Sequence, residues 1–345
     1  MDKILVTGGS GFFGQILLRY LTGEGYECIN VDIVPSEFEH SSVIHYQEDI
    51  RNFSGLDRIA GQHKITAIIH CAAILGHGIN SKKVLWSTNV EGTENIARLA
   101  KKYGIKKVVF TSSNCLWGNR FDRPIVEEDA PCPVELYGKT KLEGEKILLA
   151  CGEWFDSVII RCPTIIDSGR LGLLGILFQF IYENRKIWVV GKGNNFYQFI
   201  YAEDLADACL KSVHHKGTEI FNIGSDNVKS FNAVYSYVIE KAGSKSRIKS
   251  LPKKLTLFGM KVAFKLRLSP MGPYHYKMIA ESFIFDTAKI KKVLGWKPSL
   301  TNEEMLYKAY CYYHENKNEI DGRKGVSPHR KVENMRIIHL LRWFS

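Results

Sequence analysis

Residues 3–14, KILVTGGSGFFG, constrain the fold more than any other stretch of this 345-residue chain. A short apolar run, 3–7, stops at glycines 8, 11 and 14, and an apolar helical pattern, 14–21, begins as they end. Each glycine meets a steric demand: Gly8 a tight turn, Gly11 the approach of backbone to a pyrophosphate, Gly14 the packing of helix on strand. The helix start adds N–H donors without helical partners and a positive partial charge, both suited to phosphate. Strand, glycine turn and helix in that order open a parallel α/β sheet that binds a dinucleotide.

The alternation continues to about residue 160. Strand patterns at 27–31, 43–46, 67–70, 107–112 and 157–161 are separated by helical patterns at 55–63, 89–103 and 137–150. Short apolar strands between amphipathic helices predict a doubly wound parallel sheet of Rossmann type, covered on both faces, with ligands beyond the carboxyl ends of the strands. Asp32 falls just after the second strand, where a carboxylate accepts from the adenine ribose hydroxyls. It would repel a 2′-phosphate, and no arginine or lysine adjoins it, so NAD is expected rather than NADP.

Tyr137 and Lys141 stand four residues apart at a helix start and so share one face. A phenol with a pKa near 10 is a poor base at neutral pH, and a neighbouring cation favours its phenolate. Tyr137 is therefore expected to take the proton of an alcohol while hydride leaves for the nicotinamide, with Lys141 also holding the nicotinamide ribose. Ser113, at the end of the strand before, can hydrogen-bond the same substrate oxygen. A Tyr-x-x-x-Lys spacing by itself is an ordinary surface pair on a helix. The glycine turn upstream and the serine between them turn it into a catalytic set.

Composition excludes other classes. The chain is 45% hydrophobic and 24% charged, with no low-complexity tract. No apolar window is long enough for a membrane-spanning helix, and the N-terminus lacks the pattern of a signal peptide. Eight cysteines without a Cys-x-x-Cys pair fit neither a zinc site nor a disulfide scaffold, and point to a reducing cytoplasm. The net charge of +11 is concentrated: residues 241–300 carry 14 Lys and Arg against 2 Asp and Glu. Nucleic-acid reading motifs are missing, so that charge suits phosphates, an anionic membrane face or simple solubility. Residues 253–268 and the basic tail 317–345, within it 332–344, mix lysine or arginine with large apolar side chains in the manner of interfacial helices, so peripheral membrane contact is a further expectation.

At these residues the chain resembles the extended short-chain dehydrogenase/reductases, specifically the NAD-dependent epimerase/dehydratase family. The likeness runs through 7–14 (with Ser10, Phe12 and Phe13), Asp32, Asp49-Ile50, 70–73, 88–93, 112–118, 137–141 and 161–164. It continues through 199–206 with Asp204, 221–224, and 285–298 with its LGWKP. The resemblance implies a Rossmann-type NAD domain over 1–165, rejoined by 199–225, and a smaller C-terminal α/β substrate lobe over 166–198 and 226–316. It also implies NAD contacts from Asp49, Ile50, Ala72, Ala73, Asn89 and Pro163, and commonly a homodimer.

Departures from the family pattern narrow the activity. Asn114 and Cys115 stand where the 4,6-dehydratases carry Asp-Glu, which disfavours water elimination. Thr164 replaces the asparagine that usually contacts the sugar nucleotide. Tyr197-Gln198 replaces an Arg-Asp whose arginine grips pyrophosphate, and a second arginine before Phe285 gives way to His275, Tyr276 and Lys277. Asn114, Thr164, Tyr197 and His275 are the expected substrate residues. Two substrate readings stay open: C4 of a nucleotide sugar, by reversible hydride transfer as in a 4-epimerase, or a lipid-like alcohol, for which the apolar run 171–181 speaks. An NAD-sensing scaffold ranks behind both, since Tyr137 and Lys141 are present.

Overall fold

Hydrophobic side chains alternate strictly along the central strands, and that alternation builds two cores rather than one. In this computed structural model residues 3–75, 81–118, 120–266 and 272–322 are described, with backbone alone at 273–275, 277 and 321–322. Strands β1 (Lys3–Thr7), β2 (Glu27–Asp32), β3 (Val43–Gln47), β4 (Ile65–His70), β5 (Lys107–Ser113), β6 (Asp156–Cys162) and β10 (Glu219–Asn222) form one parallel sheet. Its order is β3-β2-β1-β4-β5-β6-β10. On one face Ile4, Val6, Ile69, Val109, Val158 and Ile160 pack against α1 (Phe12–Gly23) and α7 (Ala202–His214). On the other, Leu5, Ile29, Ile68, Val108, Phe110 and Ile159 pack against α2 (Phe53–Gly61), α4 (Gly92–Tyr103) and α5 (Leu136–Leu149). A parallel sheet whose connections are helices must be covered on both faces, and the chain is built for it.

Connections leave β1 in one direction along the sheet and β4 in the other, so a crevice opens between their carboxyl ends. The glycine turn sits there. Gly8 has φ +76, and a Cβ added to it would lie 2.7 Å from the Ala72 backbone, so only glycine fits. Gly14 is as tightly held, its position 2.1 Å from the Gly8 carbonyl oxygen when a Cβ is built on it.

The expected helix over 89–103 is three segments: α3 (Lys82–Trp86), a π-turn (Ser87–Glu91) and α4. The extra residue of the π-turn is the kind of local irregularity that accompanies functional sites. The other expected elements lie within about two residues of their observed ends, as is usual for frayed termini.

Beyond the sheet, β7 (Thr164–Ile166) pairs with β9 (Phe199–Tyr201), and β8 (Ile187–Val190) with β11 (Ile248–Leu251). Helices α6 (Gly172–Tyr182), α8 (Phe231–Lys241) and α12 (Asn302–Glu315) close a third core around Phe178, Tyr197, Phe231, Leu306 and Tyr310. Asn302 ties this core to the strands: its side chain accepts from Phe199 N–H and donates to the Tyr197 carbonyl. Asp204 accepts from Ser299 N–H while its carbonyl takes the Trp296 indole N–H, which latches the chain after α11 (Ala288–Leu294) onto α7. Helices α9 (Lys253–Lys265), α10 (Pro273–Ala280) and α13 (Lys317–Gly322), with a 3-10 turn (Asn114–Leu116) after β5, complete the described elements.

Helix α5 is fixed by a buried ion pair. Glu145 accepts from Arg161 Nη2 at 2.8 Å and Nε at 3.1 Å, and from Ser112 Oγ at 2.5 Å, with side-chain exposures of 4% for Arg161 and 2% for Glu145. Arg161 also donates to the Glu127 carbonyl and lies over the Trp117 ring. Removing one partner strands a charge away from water, which costs about 3–5 kcal/mol. Glu145→Ala is therefore expected to lower the urea unfolding free energy by about that amount, with Glu145→Ala/Arg161→Met recovering part of it. Equal stability of the Glu145→Ala variant and the parent would refute the role of the pair.

Candidate active site

The carboxyl ends of the strands bring most of the expected site residues to one crevice. The glycine turn comes first. Gly11 is the N-cap of α1 and provides no side-chain cap, and the first turn of α1 carries no acidic residue. The helix start thus keeps its N–H donors for an outside anion. Ser10 is pinned from behind: its hydroxyl accepts from Asn30 and its carbonyl from Gln15. Phe12 and Phe13 turn into the core.

Asp32 accepts from Ser10 N–H at 3.0 Å through Oδ2 and from Val34 N–H at 3.2 Å through Oδ1. Burial raises its pKa, and these backbone donors pull it back down. Each oxygen keeps lone-pair capacity for a ribose hydroxyl. Asp49 follows β3, and its carboxylate is forked by the Arg51 guanidinium at 2.6–3.0 Å, which holds its pKa below the usual carboxylate range. Ile50 is buried beside Gly92. Ala72 packs on Gly8, Ala73 in the segment after β4 is exposed, and Pro163 is buried between β6 and β7.

A lone bound dinucleotide would therefore find glycine-lined backbone, free helix donors and a carboxylate at the ribose position. The residues fit NAD. No arginine or lysine adjoins Asp32 along the chain, in keeping with a ribose that carries no 2′-phosphate.

The catalytic candidates come from β5 and α5. Ser113 ends β5, its hydroxyl accepting from Cys115 N–H at 3.1 Å and hydrogen-bonding the Tyr137 phenol. Burial pushes the phenol pKa well up; the thiols of Cys115 and Cys162 push the same way, while the Arg170 charge and the Ser113 hydrogen bond draw it down. Lys141, one turn along, is buried with its Nζ 4.2 Å from the Phe110 ring centroid. Desolvation brings its pKa down to about 8. Tyr137 as a whole residue is half-buried, whereas Lys141 is buried.

Supporting residues set this geometry. Phe110, beneath Lys141, stacks on His70 with centroids 5.4 Å apart. His70 is fully buried, and desolvation drives its pKa to about 3, so its ring is neutral. Thr93 Oγ1 donates to the Asn89 carbonyl and hence accepts from His70 Nε2–H, which leaves Nδ1 to accept from Thr7 Oγ1 at 2.6 Å. Asn89, in the π-turn, gives its side chain to the Ile74 backbone and to Thr140 Oγ1 on α5. Its side chain therefore shapes the wall of the crevice and the seat of α5.

Three of the four expected substrate residues meet. Asn114 Nδ2 donates to the Tyr197 hydroxyl at 2.7 Å, and Thr164 Oγ1 lies 3.4 Å from it. The Tyr197 ring is buried, stacked parallel to Phe231 and tilted against Phe283. His275 lies on α10, and its side chain falls outside the described residues, as does the tail from 323 onward.

Arg170 escapes the sequence reading. Its guanidinium stands 5.5 Å from the Phe12 ring centroid and its charge reaches both Tyr137 and Cys162. A cation following β7, just before an apolar run, was the available signal. The roles of His70 and Asn89 were equally hidden, because each depends on partners more than 14 residues distant.

Comparison with known proteins agrees with this architecture. Residues 4–224 match the model of the NAD dependent epimerase/dehydratase family. The uncharacterized protein y4nG of Sinorhizobium fredii is 35% identical over 342 residues, covering 98% of this chain and 85% of the relative. A UDP-glucuronate 4-epimerase of Thermodesulfobacterium geofontis is 26% identical over 338 residues, covering 92% and 97%. The crystal structure of a UDP-glucose 4-epimerase from Thermotoga maritima, with UDP-glucose, superposes with a TM-score of 0.76 at 23% identity, covering 91% of this chain and 99% of that one. The chain belongs to the NAD-dependent epimerase/dehydratase family, and is an NAD-dependent enzyme.

Proposed function

We propose that the protein is a 4-epimerase of a nucleotide sugar, working by reversible oxidation at one secondary alcohol carbon. The observation that carries this reading is the convergence of Ser113, Tyr137 and Lys141 at the end of β5, beside the glycine turn. The epimerase names of relatives matching nine-tenths of the chain support it. In this assignment residues 1–165 and 199–225 hold NAD, and 166–198 with 226–316 hold the sugar nucleotide.

NAD, when bound, supplies a hydride acceptor that can return the hydride. Gly8, Gly11 and Gly14 with the α1 donors hold its pyrophosphate, and Asp32 its adenine ribose. Tyr137 receives the alcohol proton on its phenolate oxygen, and gives it back when the carbon is reduced. Ser113 donates to the substrate oxygen or to the phenolate, which steadies charge on either. The Arg170 charge and the Ser113 hydroxyl lower the cost of a phenolate that burial makes expensive, and Lys141, one turn along α5, adds a second fixed cation. Asn114 and Cys115 provide no carboxylate beside Ser113, consistent with hydride transfer without elimination.

A second reading, a dehydrogenase of an apolar secondary alcohol, is favoured by one feature. Where a guanidinium would grip diphosphate, Tyr197 offers a neutral hydroxyl already engaged by Asn114, set among Phe231 and Phe283. The two readings separate on the fate of the hydride: an epimerase converts UDP-sugar without net NADH, whereas a dehydrogenase accumulates NADH.

Tyr137→Phe should lower kcat by about two to four orders of magnitude while NAD still binds, as read by turnover and by calorimetric titration. Unchanged turnover would sink the assignment. Asp32→Arg should move preference toward NADP, measured as the ratio of the two dissociation constants. A ratio equal to that of the parent would remove Asp32 from the ribose site. For Lys141 the sign of the pH effect follows from its depressed pKa. The folded protein loses this proton near pH 8, the unfolded chain only near 10.5, so the unfolded state holds more protons between those values and stability rises with pH across that window. Lys141→Met should therefore be more stable than the parent by about 1–3 kcal/mol at pH 7 in the NAD-free protein, with the gain shrinking toward pH 10 and turnover lost throughout. A gain independent of pH in denaturant titrations would contradict the buried ammonium.

A further inference from the structure

Helix α9 presents an outward face with no protein against it among the described residues. Only Ala263 is buried along its 13 residues. Its inner side touches α10: the Tyr276 hydroxyl donates to the Met260 carbonyl, Phe264 meets the Tyr276 ring edge-on, and Lys253 donates to the Ala280 carbonyl. The opposite side carries Leu255, Phe258, Val262 and, at the C-cap, Leu266, spaced i, i+3, i+7 and i+11, hence one continuous stripe. Their exposures are 69%, 66%, 40% and 62%. Single exposed apolar side chains are ordinary, but four large ones in one stripe are not.

Lys254, Lys261 and Lys265 run along one border of that stripe, at the same helical spacing, and α9 contains no acidic residue. The surrounding residues 241–300 are strongly basic. An apolar stripe edged by a lysine column is the pattern of a helix lying in the headgroup layer of an anionic bilayer, with apolar side chains among acyl chains and ammonium groups at the phosphates. A second copy of this chain seated on the same face would bring two lysine columns together, and like charges oppose that pairing.

We infer that α9 seats the protein on the surface of an anionic phospholipid bilayer through the stripe Leu255–Phe258–Val262–Leu266 and the lysines beside it. No helix among the described residues is long and apolar enough to cross a membrane, so this contact is peripheral. It is independent of the reaction assigned above.

The test is sedimentation of the full chain with vesicles of phosphatidylcholine alone and of phosphatidylcholine with phosphatidylglycerol. The expected result is binding to the anionic vesicles only, weakening as salt is raised. Each lysine near the surface is worth about a fivefold factor in partitioning, so Lys254→Glu/Lys261→Glu/Lys265→Glu should reduce it at least about tenfold. Leu255→Glu/Phe258→Glu should do the same through the apolar stripe. Because these side chains are solvent-exposed, both variants should keep the parent's melting temperature. No binding to anionic vesicles, or binding that neither variant weakens, overturns the proposal. So does a lipid-free oligomer that the Leu255→Glu/Phe258→Glu variant splits, which would make the stripe a protein interface.

Discussion

The docking of α5 on β5 and β6 is the constraint on which the active site depends. Tyr137 and Lys141 lie at the start of that helix, and Ser113 at the end of β5. Glu145, two turns along α5, clamps Arg161 of β6 and Ser112 of β5 in one buried cluster. Such a pair gives little net stability against an apolar replacement, but it is expensive to mismatch, so it sets register. A slip of α5 by one residue would leave Glu145 without its guanidinium and swing the phenol away from Ser113. Asn89 adds a second anchor on Thr140, from the π-turn on the far side.

Dryness is the other half of the design. Lys141 is buried over the Phe110 ring, and desolvation costs it much of its preference for the charged state. The same enclosure makes the Tyr137 phenol reluctant to ionise. A charge placed in such surroundings acts over a longer distance than in water, so the fixed cations Lys141 and Arg170 and the Ser113 hydroxyl carry more weight there. Stability is given up for this arrangement, as is common where function requires a buried charge.

Much of the fold was legible in the chain itself because parallel strands and their glycine turn obey local rules. The Gly8, Gly11 and Gly14 spacing, the position of Asp32 after β2 and the Tyr137–Lys141 helical pair each depend on residues within a few positions of one another. The π-turn was not legible: residues 89–103 have a plain helical pattern, and the bulge arises where Asn89 meets the Ile74 backbone and α5. Nor could Thr164, Asn114 and Tyr197 be known to share one hydrogen-bonded group, since up to 83 residues separate them.

From sequence alone came the class of fold, the dinucleotide cofactor, and the phenol, ammonium and hydroxyl proposed as the reacting groups. These follow from backbone sterics, helical periodicity and the intrinsic chemistry of side chains, which are properties of neighbours along the chain. Tertiary structure decided the state of those groups: a neutral His70 under Phe110, a Lys141 ammonium brought toward pH 8, an Arg170 whose charge is felt at Tyr137, and a Tyr197 hydroxyl already spoken for. Desolvation and long-range hydrogen bonding depend on what surrounds an atom in space, and only the folded chain specifies that.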